Sequence, residues 1–314
     1  MTPRFSIAIP AHNRAAYLKD AIRSCLAQTV GDFEVVISDD CSTEDLRAVS
    51  ESFDDMRIRY SRSPARLGAA KNHQRAVSLS RGEYVVNLHS DDMLLAQYLE
   101  VAGAALGQCP RAAAVYSSVA YLDGTRIHGC QRVPRVGFAD RQTYLDNRWL
   151  EKNRGVCPTS CLFRRAAFER IGGYRIDLRF AYDWDLYMRL MTAGGGVLFV
   201  PEVLALYRTH DDQASQTSAR EGLYDLLHLW TLDEYAHWTP AEIADLVLSE
   251  IIESARARRS PLELWTHVRQ SGMALRLALA SPPALLRRVA RRVSVVKARA
   301  DENYRLPDTS RVTA

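Results

Sequence analysis

FSIAIPAHNRAAYLKDAIRSCLAQTVGDFEVVISDD, residues 5–40, decides the fold. Its apolar period changes twice. Phe5 to Ile9 is a short β-type run that stops at Pro10. Leu18, Ala21, Ile22, Cys25 and Leu26 then recur at helical spacing, and Glu34 to Ser38 is a second buried-strand run. The same alternation continues outward. Ser42 followed by Asp45 has the pattern of a capping box and predicts a short helix to about Phe53. Met56 to Tyr60 reads as a strand, Ala69 to Ser80 as a helix that Gly82 ends, and Glu83 to Leu88 as a fourth strand. Leu95, Leu99, Ala102 and Leu106 mark another helix, and Ala113 to Ser117 a further strand. Strand and helix in alternation predict an α/β fold, a mostly parallel sheet flanked by helices. Such sheets bind ligands at the carboxyl ends of their strands, so the residues after each strand are where chemistry is expected.

Beyond this core, Tyr121 to about Val156 is irregular and rich in Arg, Gly and Asp. Ala166 to Ile171 reads as a short helix ending at Gly172-Gly173. Asp183 to Met191 reads as a helix terminated by Gly194-Gly195-Gly196, and Val197 to Val200 as a strand. After Ser218 the pattern shifts to long helices at 224–235, 240–258 and 261–280. Pro282-Pro283 then introduces a last basic helix, and the tail after Asp301 is polar. The expected organisation is therefore residues 1–217 as one domain and 218–314 as a C-terminal helical extension.

The chain of 314 residues is 47% hydrophobic, 25% charged and 9% aromatic, which excludes a disordered chain, a collagen and a disulfide miniprotein. Lys and Arg number 41 against 37 Asp and Glu, a net charge of +4 that does not suggest a nucleic-acid partner. The six cysteines are scattered and lack zinc-site spacing, as expected of buried thiols in a reducing compartment. The apolar run at Phe5 is too short for a signal peptide, and no run of about 18 apolar residues could span a membrane. The expected location is the cytoplasm.

Three acidic clusters fall where the strand-end rule points. Asp39-Asp40 closes the second strand, Asp91-Asp92 closes the fourth, and Asp183 and Asp185 open a later helix. Paired carboxylates at a strand end can hold a hard divalent cation, which makes a diphosphate a better leaving group. A separate carboxylate can take a proton from an attacking hydroxyl. An Asp after a strand is also a common turn or cap residue, so a single pair would carry little.

Taken in order, the motifs resemble family-2 glycosyltransferases. They are Ile9-Pro10-Ala11-His12-Asn13-Arg14, Val35-Val36-Ile37-Ser38-Asp39-Asp40-Cys41-Ser42, Arg66-Leu67-Gly68-Ala69-Ala70-Lys71-Asn72, Arg81-Gly82-Glu83-Tyr84, His89-Ser90-Asp91-Asp92, Gly172-Gly173-Tyr174, Tyr182-Asp183-Trp184-Asp185 and Tyr207-Arg208-Thr209-His210. The resemblance covers about residues 4 to 215. It implies a GT-A fold, a nucleotide-sugar donor and a divalent metal, manganese or magnesium. It puts nucleotide binding at about 1–117 and the acceptor side at about 118–217. By the same resemblance Pro10, Ala11, His12 and Asn13 line the nucleotide pocket, with His12 against the base. Asp40 reads the base edge with Asp39 beside it, and Arg66 lies near the nucleotide. Asp91 and Asp92 supply the metal and ribose contacts, and His210 lies near metal and diphosphate. Asp183 is the general base of an inverting transfer, and Trp184 and Asp185 stand on the acceptor side.

The chain departs from the family pattern in places. His89 stands where Asp is frequent, Tyr182 replaces the usual Glu, and Cys41 stands where Gly is frequent. A carboxylate at Asp40 accepts from the imino N–H of uracil or thymine, so UDP or dTDP donors are expected, with GDP as the runner-up. The acceptor is a hydroxyl on a glycan, a lipid-linked sugar or a secondary metabolite. Two other function classes compete with this reading. A nucleotidyltransferase would want a Gly-rich phosphate loop after the first strand, and Pro10 to Arg14 contains no glycine. A non-catalytic nucleotide-sugar binding protein would be expected to lose carboxylates that this chain keeps.

From Leu285 to Arg299 the last helix carries Arg287, Arg288, Arg291, Arg292, Lys297 and Arg299 opposite Leu285, Val289, Val293 and Val296. Such a helix either lies peripherally on an anionic membrane face or packs on the catalytic domain or on a second copy of the chain. Its short apolar face, without Trp or Phe, favours packing.

Overall fold

The computed structural model describes residues 2–133, 137–143, 157–210, 213, 225 and 229. The chain divides into two compact units, Met1–Thr217 and Ser218–Ala314. The helices expected between 224 and 299 lie outside the described residues, except that Asp225 and Leu229 are helical.

In the first unit the elements are β1 (Phe5–Ala11), α1 (Ala15–Leu26), β2 (Phe33–Asp39), α2 (Leu46–Glu51), β3 (Ile58–Arg62), α3 (Ala69–Leu79), β4 (Tyr84–Asn87), β5 (Met93–Leu94), α4 (Tyr98–Gln108), β6 (Ala114–Asp123), β7 (Arg126–Gln131), β8 (Phe138–Ala139), β9 (Cys161–Arg164), α5 (Arg165–Arg170), α6 (Tyr182–Thr192) and β10 (Val197–Arg208). One sheet runs in the order β3-β2-β1-β4-β9-β6-β10-β5, with β7 added to β6 and β8 to β10. The first four strands are parallel, Ile7 pairing with both Val35 and Val86 and Val35 with Ile58. Every residue of β1 and β2 is buried, so both sheet faces are covered. That is why these strands read as continuous apolar runs rather than as alternating ones. On one face α1 contributes Leu18, Ala21, Ile22 and Cys25.

Beyond β4 the sheet becomes mixed. β9 runs antiparallel to both β4 and β6, and β10 runs parallel to β6. β6 and β10 therefore point the same way as β1 and β4, and all of these strands end on one edge. Periodicity did not show β9, because four residues entered from a 3-10 turn carry too little pattern. The last strand also runs past Val200 to Arg208. Its register shifts at Val200/Val203 and Val203/Ala205 absorb Pro201, which cannot donate to a ladder. The cap of α2 is Asp45, whose carboxylate accepts from Ala48 N at 3.0 Å, and not Ser42.

At the turn into β4, a Cβ on Gly82 would lie 2.7 Å from Phe5 C and Ser6 N, and 2.8 Å from Ser6 Oγ. These are mostly backbone atoms of β1, so relief would mean shifting the central strand. Gly82→Ala is expected to cost about 1–3 kcal/mol, read as a lower urea midpoint. An unchanged midpoint would show that the strand yields.

Candidate active site

Two loops at the ends of β1 and β2 are laced together. Asn13 and Arg14 both have left-handed backbone, φ 56° and 62°. Asn13 N donates to Ser42 Oγ at 2.8 Å, and Asn13 Oδ1 accepts from Thr43 N at 2.8 Å. The Glu44 carboxylate accepts from Arg14 N and Ala15 N, each at 2.8 Å. The backbone N–H groups of Ala15 and Arg14 hold its carboxyl below the usual carboxylate range. Cys41 has φ 57°, a conformation in which glycine meets no steric cost.

Asp39 is buried and closes its own turn. Its Oδ1 accepts from Ser42 N at 2.9 Å and its Oδ2 from the Tyr60 hydroxyl at 2.5 Å. Asp40 faces the start of α3, accepting from Leu67 N at 2.6 Å and Gly68 N at 3.0 Å. His12 Nδ1 lies 3.0 Å from the Asp40 carbonyl oxygen, which makes Nδ1 the protonated ring nitrogen. His12 Nε2 then accepts from the Arg66 guanidinium. The structure thus brings Asp40, His12 and Arg66 together, whereas Asn13 and Asp39 tie loops.

At the end of β4, His89, Asp91 and Asp92 each offer a ligand atom, all within 4.8 Å of one another. Their environments differ. Asp92 is buried, its Oδ1 accepting from Arg208 N at 2.8 Å and its Oδ2 from the Thr159 hydroxyl. Burial, and then the neighbouring Asp91 charge, push its carboxyl well up. Asp91 is more open, and its Oδ2 lies 3.1 Å from Arg14 Nη1 and 3.1 Å from His210 Nε2. Arg208 steadies the whole turn, its Nε donating to the Asp91 carbonyl at 2.9 Å and its Nη2 to Asp20 at 3.0 Å. Of the metal residues expected from sequence, Asp91 and His210 meet, Asp92 ties the turn to β10 and to the turn at 158–160, and His89 joins the donor set.

The first turn of α6 supplies Asp183, half-buried, whose Oδ1 accepts from Trp184 N at 2.6 Å. Burial raises its carboxyl above the usual aspartate value, with the His89 charge pulling the other way. Behind it lies a buried ring cluster. His73 stacks edge-on against His89 at 5.1 Å and lies 5.0 Å from the Tyr182 ring. Asn87 Nδ2 lies 3.1 Å from His73 Nδ1 and donates to the Tyr174 hydroxyl at 2.8 Å. Burial, and then the His89 charge, hold the His73 imidazole well below its usual value, so it is neutral.

Asp185, expected on the acceptor side, is fully buried, 3.1 Å from Arg175 Nε, 2.9 Å from Arg189 Nε and 2.5 Å from Arg189 Nη2. Arg189 also donates to the Ile171 carbonyl at 2.8 Å and to the Gly173 carbonyl at 2.7 Å. The ion pair clamps the Gly172-Gly173 turn to α6. On a helix, residues two apart point to different sides, so Asp183 and Asp185 cannot share one role. Sequence reasoning assigned nothing to Arg14, His73, Asn87, Thr159 or Arg208. Only Arg14 and Arg208 lay inside quoted motifs, and their partners are distant in the chain.

Residues 6–172, more than half of the chain, match the sequence profile of Glycosyl transferase family 2. The chain belongs to glycosyltransferase family 2. A relative named as a PGL/p-HBAD biosynthesis glycosyltransferase of Mycobacterium bovis is 30% identical over 193 residues, 60% of this chain and 69% of that protein. Among solved structures, S. aureus TarS 1-349 in complex with UDP-GlcNAc superposes with a TM-score of 0.58 at 17% identity, covering 83% of this chain and 69% of that one. The mannosyltransferase PcManGT of Pyrobaculum calidifontis, in complex with GDP-Man and Mn2+, gives a TM-score of 0.56 at 16% identity, covering 97% and 88%. At these identities the likeness establishes the fold, the GT-A arrangement of a large sheet between helices. This family-2 glycosyltransferase is an enzyme of sugar transfer. Among the described residues, no helix is long and apolar enough to cross a membrane.

Proposed function

We propose that this glycosyltransferase moves a sugar from a nucleoside-diphosphate sugar to an acceptor hydroxyl by a single inverting displacement, with a divalent cation at the end of β4. One observation carries the proposal: the donor atoms of His89, Asp91 and Asp92 lie within 4.8 Å of one another, next to an α6 that presents Asp183. Carboxylate oxygens with an imidazole nitrogen suit manganese, and the carboxylates alone suit magnesium, so the residues fit the cation the family implies. When bound, the cation neutralises charge on the departing diphosphate.

The chain's own residues do the rest. Asp40, His12 and Arg66 hold the base. The Asp40 oxygens each accept one backbone N–H and keep a lone pair for an imino donor. Asp183 takes the proton of the acceptor hydroxyl as that oxygen attacks the anomeric carbon and the bond to the diphosphate oxygen breaks. Opposite-face attack inverts the anomeric configuration. Enclosure suits Asp183 to this task, because a carboxyl raised above its usual value is a stronger base.

Calorimetry with UDP, dTDP, GDP and ADP tests the proposal. UDP and dTDP are expected to bind more tightly than GDP, and GDP more tightly than ADP, in the presence of manganese. Chelator, or Asp91→Asn, should weaken UDP by about tenfold or more, the scale of one lost charged contact. Binding that ignores both chelator and Asp91→Asn would remove the cation from the mechanism, and a preference for ADP would remove Asp40 from base recognition.

A further inference from the structure

We propose that Arg14 is the resident counter-ion of Asp91, and that it exchanges Asp91 for the donor's diphosphate when the cation arrives; the inference rests on the cation site proposed above. Arg14 begins α1 with a left-handed backbone, its N–H held by Glu44 at 2.8 Å. That conformation sends the side chain off the helix start towards the end of β4. There Arg14 Nη1 lies 3.1 Å from Asp91 Oδ2 and 3.5 Å from His210 Nε2, and His210 Nε2 lies 3.1 Å from the same Asp91 oxygen.

Two nitrogens thus lie 3.1 Å from that one oxygen. A divalent cation at Asp91 competes with both for the carboxylate charge, and a guanidinium beside it repels it as a like charge. The two neighbours differ in exposure. The His210 side chain is 10% exposed at the end of β10, whereas the Arg14 side chain is 34% exposed on a long flexible stem. Arg14 is the group that yields. A diphosphate brings negative charge to the same edge, and a guanidinium fork pairs with phosphate oxygens in two parallel bonds. Asp91 is thus neutralised at every stage, first by Arg14 and then by the cation, while Arg14 passes to the leaving group.

Two measurements on Arg14→Gln separate this role from a structural one. The first is manganese binding to the nucleotide-free protein, read from the free-ion signal in electron paramagnetic resonance. The second is UDP binding by calorimetry at saturating manganese. Loss of the competing guanidinium should tighten manganese alone by about two- to fivefold. Loss of the phosphate contact should weaken UDP by about tenfold or more. Arg14→Lys keeps the charge without the fork, so its manganese affinity should stay near wild type while UDP weakens. A shift of both measurements in the same direction, or of neither, with manganese still required for UDP, would overturn the exchange. Absence of manganese binding in wild type and variant alike, with UDP indifferent to chelator, would instead overturn the cation reading, and the exchange with it.

Discussion

Asp183→Asn is expected to lower turnover about 10²- to 10⁴-fold, the usual contribution of a general base, while leaving nucleoside diphosphate affinity close to wild type. Asparagine keeps the volume and the bond to Trp184 N but cannot take a proton. The pH dependence adds an independent sign. Burial raises the Asp183 carboxyl above its usual value. It is protonated and inert below that raised value, so turnover should rise with pH through a limb displaced upward from the ordinary aspartate range. The variant's residual turnover should lack that limb. Stability should move the other way. A carboxyl that binds its proton more tightly folded than unfolded costs the fold stability at neutral pH, where it must be ionised. Removing that charge should leave the melting temperature unchanged or higher. Near-normal release of nucleoside diphosphate with a true acceptor would overturn the assignment, and so would a variant that loses activity only because it unfolds.

Asp185→Asn should show the opposite profile, a loss of fold rather than of chemistry. Its carboxylate lies fully buried between Arg175 and Arg189. Neutralising it leaves Arg189, itself 6% exposed, as an uncompensated charge inside the unit. Breaking a buried pair from one side costs about 3–5 kcal/mol. For a domain of this size that corresponds to a fall of roughly 10 °C in melting temperature. The turn at Ile171 and Gly173 is loosened at the same time, because the arginine that holds both carbonyls loses its carboxylate partner. Thermal melting of the two single variants side by side gives the comparison. A stability for Asp185→Asn within about 0.5 kcal/mol of wild type, the ordinary scale of surface changes, would show that the clamp is not structural.

The sequence by itself determined what depends on neighbours a few residues apart. The changes of period at Pro10 and at Glu34 mark β1, α1 and β2. They do so because a strand covered on both faces must be apolar at every position, and a surface helix only on one stripe. Once the strands were parallel, the strand-end rule followed, and it directed attention to Asp39-Asp40 and Asp91-Asp92. Tertiary structure alone decided which carboxylate of each pair does what. Asp91 and Asp92 are adjacent in sequence, yet Asp92 is tied to Thr159 and Arg208, and Asp91 faces Arg14 and His210. The same holds for Asp183 and Asp185, whose separation depends on two arginines, one of them ten residues upstream. β9, a strand of four residues, is visible only through β4 and β6 on either side. The environment of a charged group comes from partners brought up by the fold from distant parts of the chain, and no local pattern in the sequence records them.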